Sequence, residues 1–186
     1  TIGSSAFFGC TGLTSVTLND GLKTISSYAF YGCARLTSIH IPDSVTRIDN
    51  RAFMNCSKLA ECNYPVGWTS AEGGYNLGDT FYDIFAGTLL KTLEIPEGVK
   101  TIPAGAFWGC DNFEYFDLPD SLTQIQSNTF RECTGLTEMV IPAKVETIGS
   151  DAFYGCTGLS EMVIPAKVET IGSDAFYGCN GLTSVT

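Results

Sequence analysis

The stretch EMVIPAKVETIGSDAFYGC occurs twice in this chain, at 138–156 and again at 161–179, without a substitution. The second copy follows the first after only four intervening positions, in a chain of 186 residues. Enzyme sites rarely need the same nineteen residues twice. Identity at surface and core positions alike indicates a recent duplication of a structural unit, which predicts the same period elsewhere in the sequence.

The same 23-residue period runs through the whole sequence and shows best in a column of phenylalanines. Its members are Phe7, Phe30, Phe53, Phe107, Phe130, Phe153 and Phe176. The step from Phe53 to Phe107 exceeds two periods by eight positions. We interpret this step as a degenerate repeat, with Ile84 in the Phe column and Gly87 in the following Cys column. The sequence thus predicts one domain, 1–186, of about eight repeats with an irregular insertion at 65–83.

The repeat reads LxxΦxΦPxxVxxIxxxAFxGCxx, where Φ is apolar. The alternation in LxxΦxΦ predicts a strand with one buried face, and proline ends it because proline has no N–H for the next ladder bond. VxxI predicts a second extended or turning segment, and xxxAFxG a short helical or 3₁₀ turn. Stacked copies would bury a continuous core. The predicted fold is a right-handed solenoid with a parallel sheet on its concave face.

This pattern resembles the BspA-like leucine-rich repeats of bacterial and some protozoan cell-surface proteins. The resemblance rests on the 23-residue period, on IP after the strand and on IGxxAFxGC before the next one. It covers the whole chain except the insertion. The asparagine column of ordinary leucine-rich repeats is missing here. The resemblance implies an extracellular or cell-surface location and adhesion to host or neighbouring-cell proteins.

Seven of the eight cysteines share one column of the repeat, namely Cys10, Cys33, Cys56, Cys110, Cys133, Cys156 and Cys179. Side chains in register on parallel strands lie about 4.8 Å apart and point the same way, whereas a disulfide needs Cβ atoms about 3.8 Å apart and a defined torsion. We therefore predict free, buried thiols. Cys62 replaces an aliphatic strand residue and is predicted to lie in the core. The spacings do not form a metal site, and no cofactor is predicted.

Charge and motifs argue against several classes of function. The chain has 10 basic and 20 acidic residues, which disfavours binding to nucleic acid or to an anionic membrane surface. No apolar run is long enough to insert directly into a membrane. The single histidine, His40, is predicted to be exposed on a strand without a nucleophile beside it. No nucleotide-binding, hydrolase or zinc-protease motif is present, so an enzyme is not expected.

The outward positions of the predicted strands provide one set of candidate binding residues, because each repeat from Glu61 onward carries an acidic group there. These candidates are Glu61, Glu94, Tyr115, Asp117, Glu138 and Glu161. A glycosidase pair at Glu138 and Glu161 is rejected, since two copies of one repeat give both carboxylates the same environment. Two interpretations stay open: a solvated face, or a binding surface for a cationic partner.

The insertion provides the second set of candidates, which are aromatic: Trp68, Tyr75, Phe81 and Tyr82. Loops that interrupt a solenoid often carry contacts, and Trp and Tyr are enriched at binding hot spots. The alternative is that these aromatics fold back and cover core exposed by the irregular repeat. The glycine-rich GGYNLGD at 73–79 is interpreted as a flexible loop rather than a phosphate site.

Together these features favour a non-enzymatic module that binds a protein ligand, such as a host surface or matrix protein. The alternative is a structural spacer or a self-assembling scaffold. Because the chain starts and ends inside repeats, we interpret it as a fragment, and uncapped solenoid ends would allow copies to associate end to end. The sequence carries no signal peptide that would indicate a cellular location.

Overall fold

The computed structural model describes the backbone of residues 1–76 and 79–186, and the side chains of residues 1–73 and 82–186. Within these ranges the chain forms short strands and turns, and no segment is helical. The strands are β1 Thr24–Ile25, β2 Ser38–Ile39, β3 Arg47–Ile48, β4 Glu61–Cys62, β5 Gly74–Asn76, β6 Asp79–Phe81, β7 Thr101–Ile102, β8 Gln124–Ile125, β9 Thr147–Ile148, β10 Glu161–Met162, β11 Thr170–Ile171 and β12 Ser184–Val185.

Two parallel ladders run along the stack. Ladder A comes from the VxxI segments and contains β1–β3 and the four-stranded sheet β11–β9–β8–β7. Ladder B comes from the LxxΦxΦ segments and contains β2–β4 and β10–β12. Every parallel pair joins residues one period apart, such as Thr147 with Thr170 and Glu161 with Ser184. The predicted parallel-sheet solenoid is confirmed, and its larger sheet, of four strands, comes from the VxxI segments rather than from LxxΦxΦ.

The turn before each cysteine is not the helical or 3₁₀ turn predicted from the sequence. It is a chain of tight turns, in which the amide of Ala29 donates to the carbonyl of Ser26 at 3.1 Å. Left-handed backbone recurs twice per repeat, for example at Tyr28 (φ 59°) and Gly32 (φ 68°). These two left-handed residues, four positions apart, interrupt the right-handed helical conformation, so no helical segment continues.

Phenylalanines stack through the centre of the described solenoid. Seven ring pairs join the column Phe7, Phe30, Phe53, Phe85, Phe107, Phe130, Phe153 and Phe176. Phe30 and Phe53 are typical, with centroids 5.4 Å apart and planes 4° apart. The centre of this column is fully buried, and each stacked aromatic pair adds about 1 kcal/mol beyond its burial.

The irregular repeat has a different register from the one predicted. Phe85, not Ile84, stacks on Phe53, with centroids 5.4 Å apart. The amide of Phe53 donates to the carbonyl of Ile84, which places Ile84 in the alanine column. Thr88, not Gly87, therefore aligns with the cysteines. Sequence counting missed this because the segment between Phe85 and Leu90 is one residue shorter than in neighbouring repeats.

The regular ladder extends into the predicted insertion at 65–83. Ser70 pairs in parallel with Arg47, one period earlier, so this part of the chain keeps the register of ladder A. The register breaks only after Glu72. There β5 and β6 form an antiparallel hairpin, with Gly74 opposite Phe81. The glycine-rich stretch at 73–79, interpreted as a loop, thus includes paired backbone at 74–76 and 79.

Candidate functional site

Trp68 lies in the core, where it takes the place of a valine. It stands one period after Val45, and the amides of both residues donate to a proline carbonyl three positions earlier, each at 2.9 Å. Its side chain is 1% exposed, and its indole N–H donates to the carbonyl of Ser70 at 2.8 Å. A residue this deeply buried cannot contact a partner unless the fold opens, so Trp68 is a packing residue rather than a surface contact.

The other aromatic candidates of the insertion divide into two groups. Tyr82 is half-buried beside Trp108, with ring centroids 6.1 Å apart, and it lies over Gly105, where a Cβ atom would overlap its ring. Tyr82 thus covers part of the solenoid, as the alternative interpretation predicts. The side chains of Tyr75 and Phe81 lie outside the described residues, although their backbones belong to β5 and β6.

The acidic candidates are exposed on the outer side of ladder B. Glu61 lies in β4 opposite Ser38, and Glu161 lies in β10 opposite Ser184. Glu138 is also exposed but belongs to no named strand. Glu94 and Asp117 form an isolated parallel bridge, which brings two of the predicted residues side by side. His40 is exposed as predicted and bridges to Thr17 on the same side.

An open groove brings several of these candidates together. Tyr115 and Asp117 line it from one repeat, and Glu138 and Val140 line it from the next. Tyr115 is 49% exposed and Val140 is 80% exposed. Val163, one repeat further on, is 63% exposed. We call these residues, together with Glu161, the acidic–apolar face: Tyr115, Asp117, Glu138, Val140, Glu161 and Val163.

Sequence reasoning selected the acids and the tyrosine of this face but not its two valines. Val140 and Val163 occupy outward positions, which alternation predicts to be polar. The signal was present in the sequence, since the corresponding positions hold Thr17, His40 and Asn63 in earlier repeats. A side chain with no polar group at such a position is the unusual feature.

A column of aromatic and arginine side chains lies on the outer turns, one position after each phenylalanine of the stack from Phe107 to Phe176. The guanidinium of Arg131 lies 4.8 Å from the centroid of Trp108 and 4.0 Å from that of Tyr154. Tyr154 in turn stacks on Tyr177 at 5.0 Å. Because the flat faces within this column contact one another, partners would meet mainly ring edges. The column was not identified from the sequence, and its contacts stabilise the stack.

Five thiols of the cysteine column donate hydrogen bonds to carbonyls of the preceding repeat, namely Cys33, Cys56, Cys133, Cys156 and Cys179. The Sγ of Cys156 donates to the carbonyl of Phe130 at 3.0 Å, and that of Cys56 to Phe30 at 3.1 Å. All eight cysteines are free, as predicted, and the predicted burial is confirmed for six of the seven in the column. Cys62 and Cys10 are half-buried instead.

Burial makes these thiols poor nucleophiles and poor metal ligands. It raises the pKa of Cys56 to about 12 and moves the pKa of Cys110 and Cys133 well above the ordinary value. The thiolate is the reactive and ligating form, so the buried thiols of this column are inert at neutral pH. Among the described residues, no group of three or more His, Cys, Asp or Glu side chains could hold a metal ion. The described part of the chain also contains no helix able to cross a membrane.

Comparison with solved structures agrees with this architecture. A leucine rich cell surface protein from Faecalibacterium prausnitzii is 29% identical over 99% of this chain, with a TM-score of 0.61. Leucine-rich repeat proteins from Bacteroides ovatus and T. pallidum are each 28% identical over 98% and 90% of this chain, with TM-scores of 0.57 and 0.54. The chain spans 50%, 57% and 64% of those three structures, respectively.

Comparison of the sequence with protein families gives one assignment. No curated protein matches the sequence. The family described as "BspA type Leucine rich repeat region" matches in six copies over residues 1–74 and 81–186. The match leaves out only part of the segment that interrupts the regular period. This chain belongs to the BspA-type leucine-rich-repeat family.

Proposed function

We propose that this chain is a non-enzymatic protein-binding module of a cell-surface protein, and that it mediates contact with host or neighbouring-cell proteins. The observation that carries the proposal is the acidic–apolar face, where exposed apolar side chains and acidic groups surround an open groove. Family membership is consistent with a protein-interaction module. The cell-surface location is supported by the name of the F. prausnitzii relative.

The absence of enzymatic activity is part of this proposal. Glu138 and Glu161 occupy equivalent positions of two identical repeats, and acid–base catalysis by a carboxylate pair needs two different environments. The buried thiols have raised pKa values and do not supply a nucleophile. A protein surface that binds without chemistry needs only exposed complementary groups.

The experiment is a binding assay on immobilised extracellular-matrix proteins and on intact host cells. The chain is expected to bind at least one matrix protein saturably, and the double change Asp117→Asn/Glu138→Gln is expected to weaken that binding. The matched control, Glu146→Gln/Glu169→Gln, removes two exposed charges beside ladder A and should leave binding unchanged. A chain that is retained by neither matrix proteins nor cells would contradict the proposal.

The second candidate function is a spacer or self-assembling scaffold. The regular column of stacked phenylalanines favours it, since contacts between repeats are alike along much of the chain and such a stack can add units. Light scattering at increasing protein concentration tests the assembly. A mass that grows with concentration supports the scaffold, and a strict monomer contradicts self-assembly.

A further inference from the structure

The acidic–apolar face exposes apolar side chains at strand positions where contact with water does not stabilise the fold. Val140 and Val163 are 80% and 63% exposed, more than the other large apolar side chains in the described part of the chain. They lie in adjacent repeats, which ladder A joins through Thr147 and Thr170. Tyr115 extends the apolar surface along the groove that it shares with Val140. A partner that covers these groups would remove apolar surface from water.

The same face is acidic and carries no basic residue of its own. The backbones of Asp117 and Glu94 form a parallel β-bridge, and Glu138 and Glu161 follow in the next two repeats. The outward strand positions from 92 to 163 contain no lysine or arginine. The whole chain has a net charge of −10, so its long-range field also favours a cationic partner.

We infer that the acidic–apolar face binds a cationic amphipathic protein segment, one that carries Lys or Arg beside exposed apolar side chains. This inference rests on the proposed function and names the chemistry of its partner. Carboxylates alone would attract any cation, and apolar groups alone would attract any apolar surface. Here Asp117 and Glu138 flank Tyr115 and Val140 around one groove, so a segment with both kinds of side chain satisfies all four residues.

The test uses three fluorescein-labelled peptides of about ten residues and the full chain. One peptide alternates Lys with Leu, one alternates Lys with Ser, and one alternates Glu with Leu. Fluorescence anisotropy at low and high salt gives the dissociation constants. The Lys–Leu peptide is expected to bind at least about tenfold more tightly than either other peptide, and high salt should weaken this binding, because exposed charges are screened.

Two variants locate the site on the chain. Val140→Thr/Val163→Thr replaces two exposed methyl groups by hydroxyls of similar size and should weaken Lys–Leu binding about tenfold. Asp117→Asn/Glu138→Gln should weaken it and reduce its salt dependence. Glu146→Gln/Glu169→Gln changes the net charge equally on another face and should have no effect. Circular dichroism checks that each variant is folded.

Several outcomes overturn the inference. Equal binding of the Lys–Ser and Lys–Leu peptides would show that charge alone drives the binding. An equal loss of binding in the Glu146→Gln/Glu169→Gln control would show that the net charge of the whole chain, and not this face, attracts the peptide. If the chain binds a matrix protein and the acidic–apolar variants do not weaken it, the inference fails while the proposed function stands. If the chain binds neither matrix proteins nor cells, the proposed function fails.

Discussion

Replacing Trp68 by valine tests whether the stability of this repeat follows the consensus of its column or the packing around Trp68. Valine is the usual residue of the column, as at Val45, Val99 and Val145, and substitutions towards a consensus commonly stabilise a protein by about 0.5–2 kcal/mol. The packing around Trp68 predicts the opposite sign. The rings of Phe85 and Phe107 are 6.3 Å apart, a wider gap than between other neighbours of the Phe column. Trp68 contacts both rings edge-on, at 6.2 and 6.1 Å.

The expected loss follows from what the indole buries. A buried aromatic side chain removes about 150–250 Å² from water, which at about 25 cal/mol per Å² amounts to about 4–6 kcal/mol. Valine would recover about 2 kcal/mol of this. The hydrogen bond from the indole N–H to Ser70 contributes about 1 kcal/mol. Trp68→Val should therefore lower the free energy of unfolding by about 3–5 kcal/mol.

Urea denaturation followed by far-ultraviolet circular dichroism measures this change. The matched control is Trp108→Val, the same substitution at a half-exposed tryptophan that stacks on Arg131. The control should cost less, about 1–2 kcal/mol, because its half-exposed ring loses a cation–π contact, a ring contact with Tyr82 and an exposed hydrogen bond to Glu132. If the denaturation midpoint of Trp68→Val equals or exceeds that of the parent chain, the packing argument is refuted.

Three further predictions concern Trp68, the arginine stack and the thiols. In a Trp108→Phe background, Trp68 should be protected from acrylamide in the folded chain, and quenching as strong as in urea would contradict its burial. Arg131→Lys should lower the free energy of unfolding by about 1 kcal/mol, because an ammonium cannot stack flat between Trp108 and Tyr154, and Arg131→Ala should lower it further, because it also removes the ion pair with Asp151; denaturation in which the Lys variant matches the parent would contradict this. Stability should fall as pH rises above about 9, because thiols whose folded pKa is raised, to about 12 for Cys56, lose their protons first in the unfolded chain. A free energy of unfolding that stays constant from about pH 8 to 11 would refute the alkaline prediction.

The repeat columns predicted much of the fold, because a solenoid repeats one set of contacts. Once the same positions are apolar in every period, parallel stacking in register buries all of them together. The free thiols follow from the same register. The prediction of a helical or 3₁₀ turn was wrong because left-handed backbone occurs at residues as different as Ser5, Tyr28 and Arg51. These residues share no sequence signal for that conformation.

The irregular repeat could not be aligned by counting alone. A long insertion and a one-residue deletion lie close together, and residue counts cannot place either one. The hydrogen bond from Phe53 to Ile84 and the stacking of Phe85 on Phe53 resolve the register. Trp68 was misassigned for the same reason: it lies where the period seemed lost, although it still stands one full period after Val45.

The sequence by itself determined the parallel in-register stack, the family and the acidic character of the outward strand positions. These properties follow from the period and from residue types, which do not depend on distant neighbours. Only the tertiary structure decided that Trp68 is enclosed and that Phe85, not Ile84, continues the column of stacked phenylalanines. The exposure of a side chain depends on what the preceding and following repeats place beside it, and where the period breaks, only the folded chain specifies those neighbours.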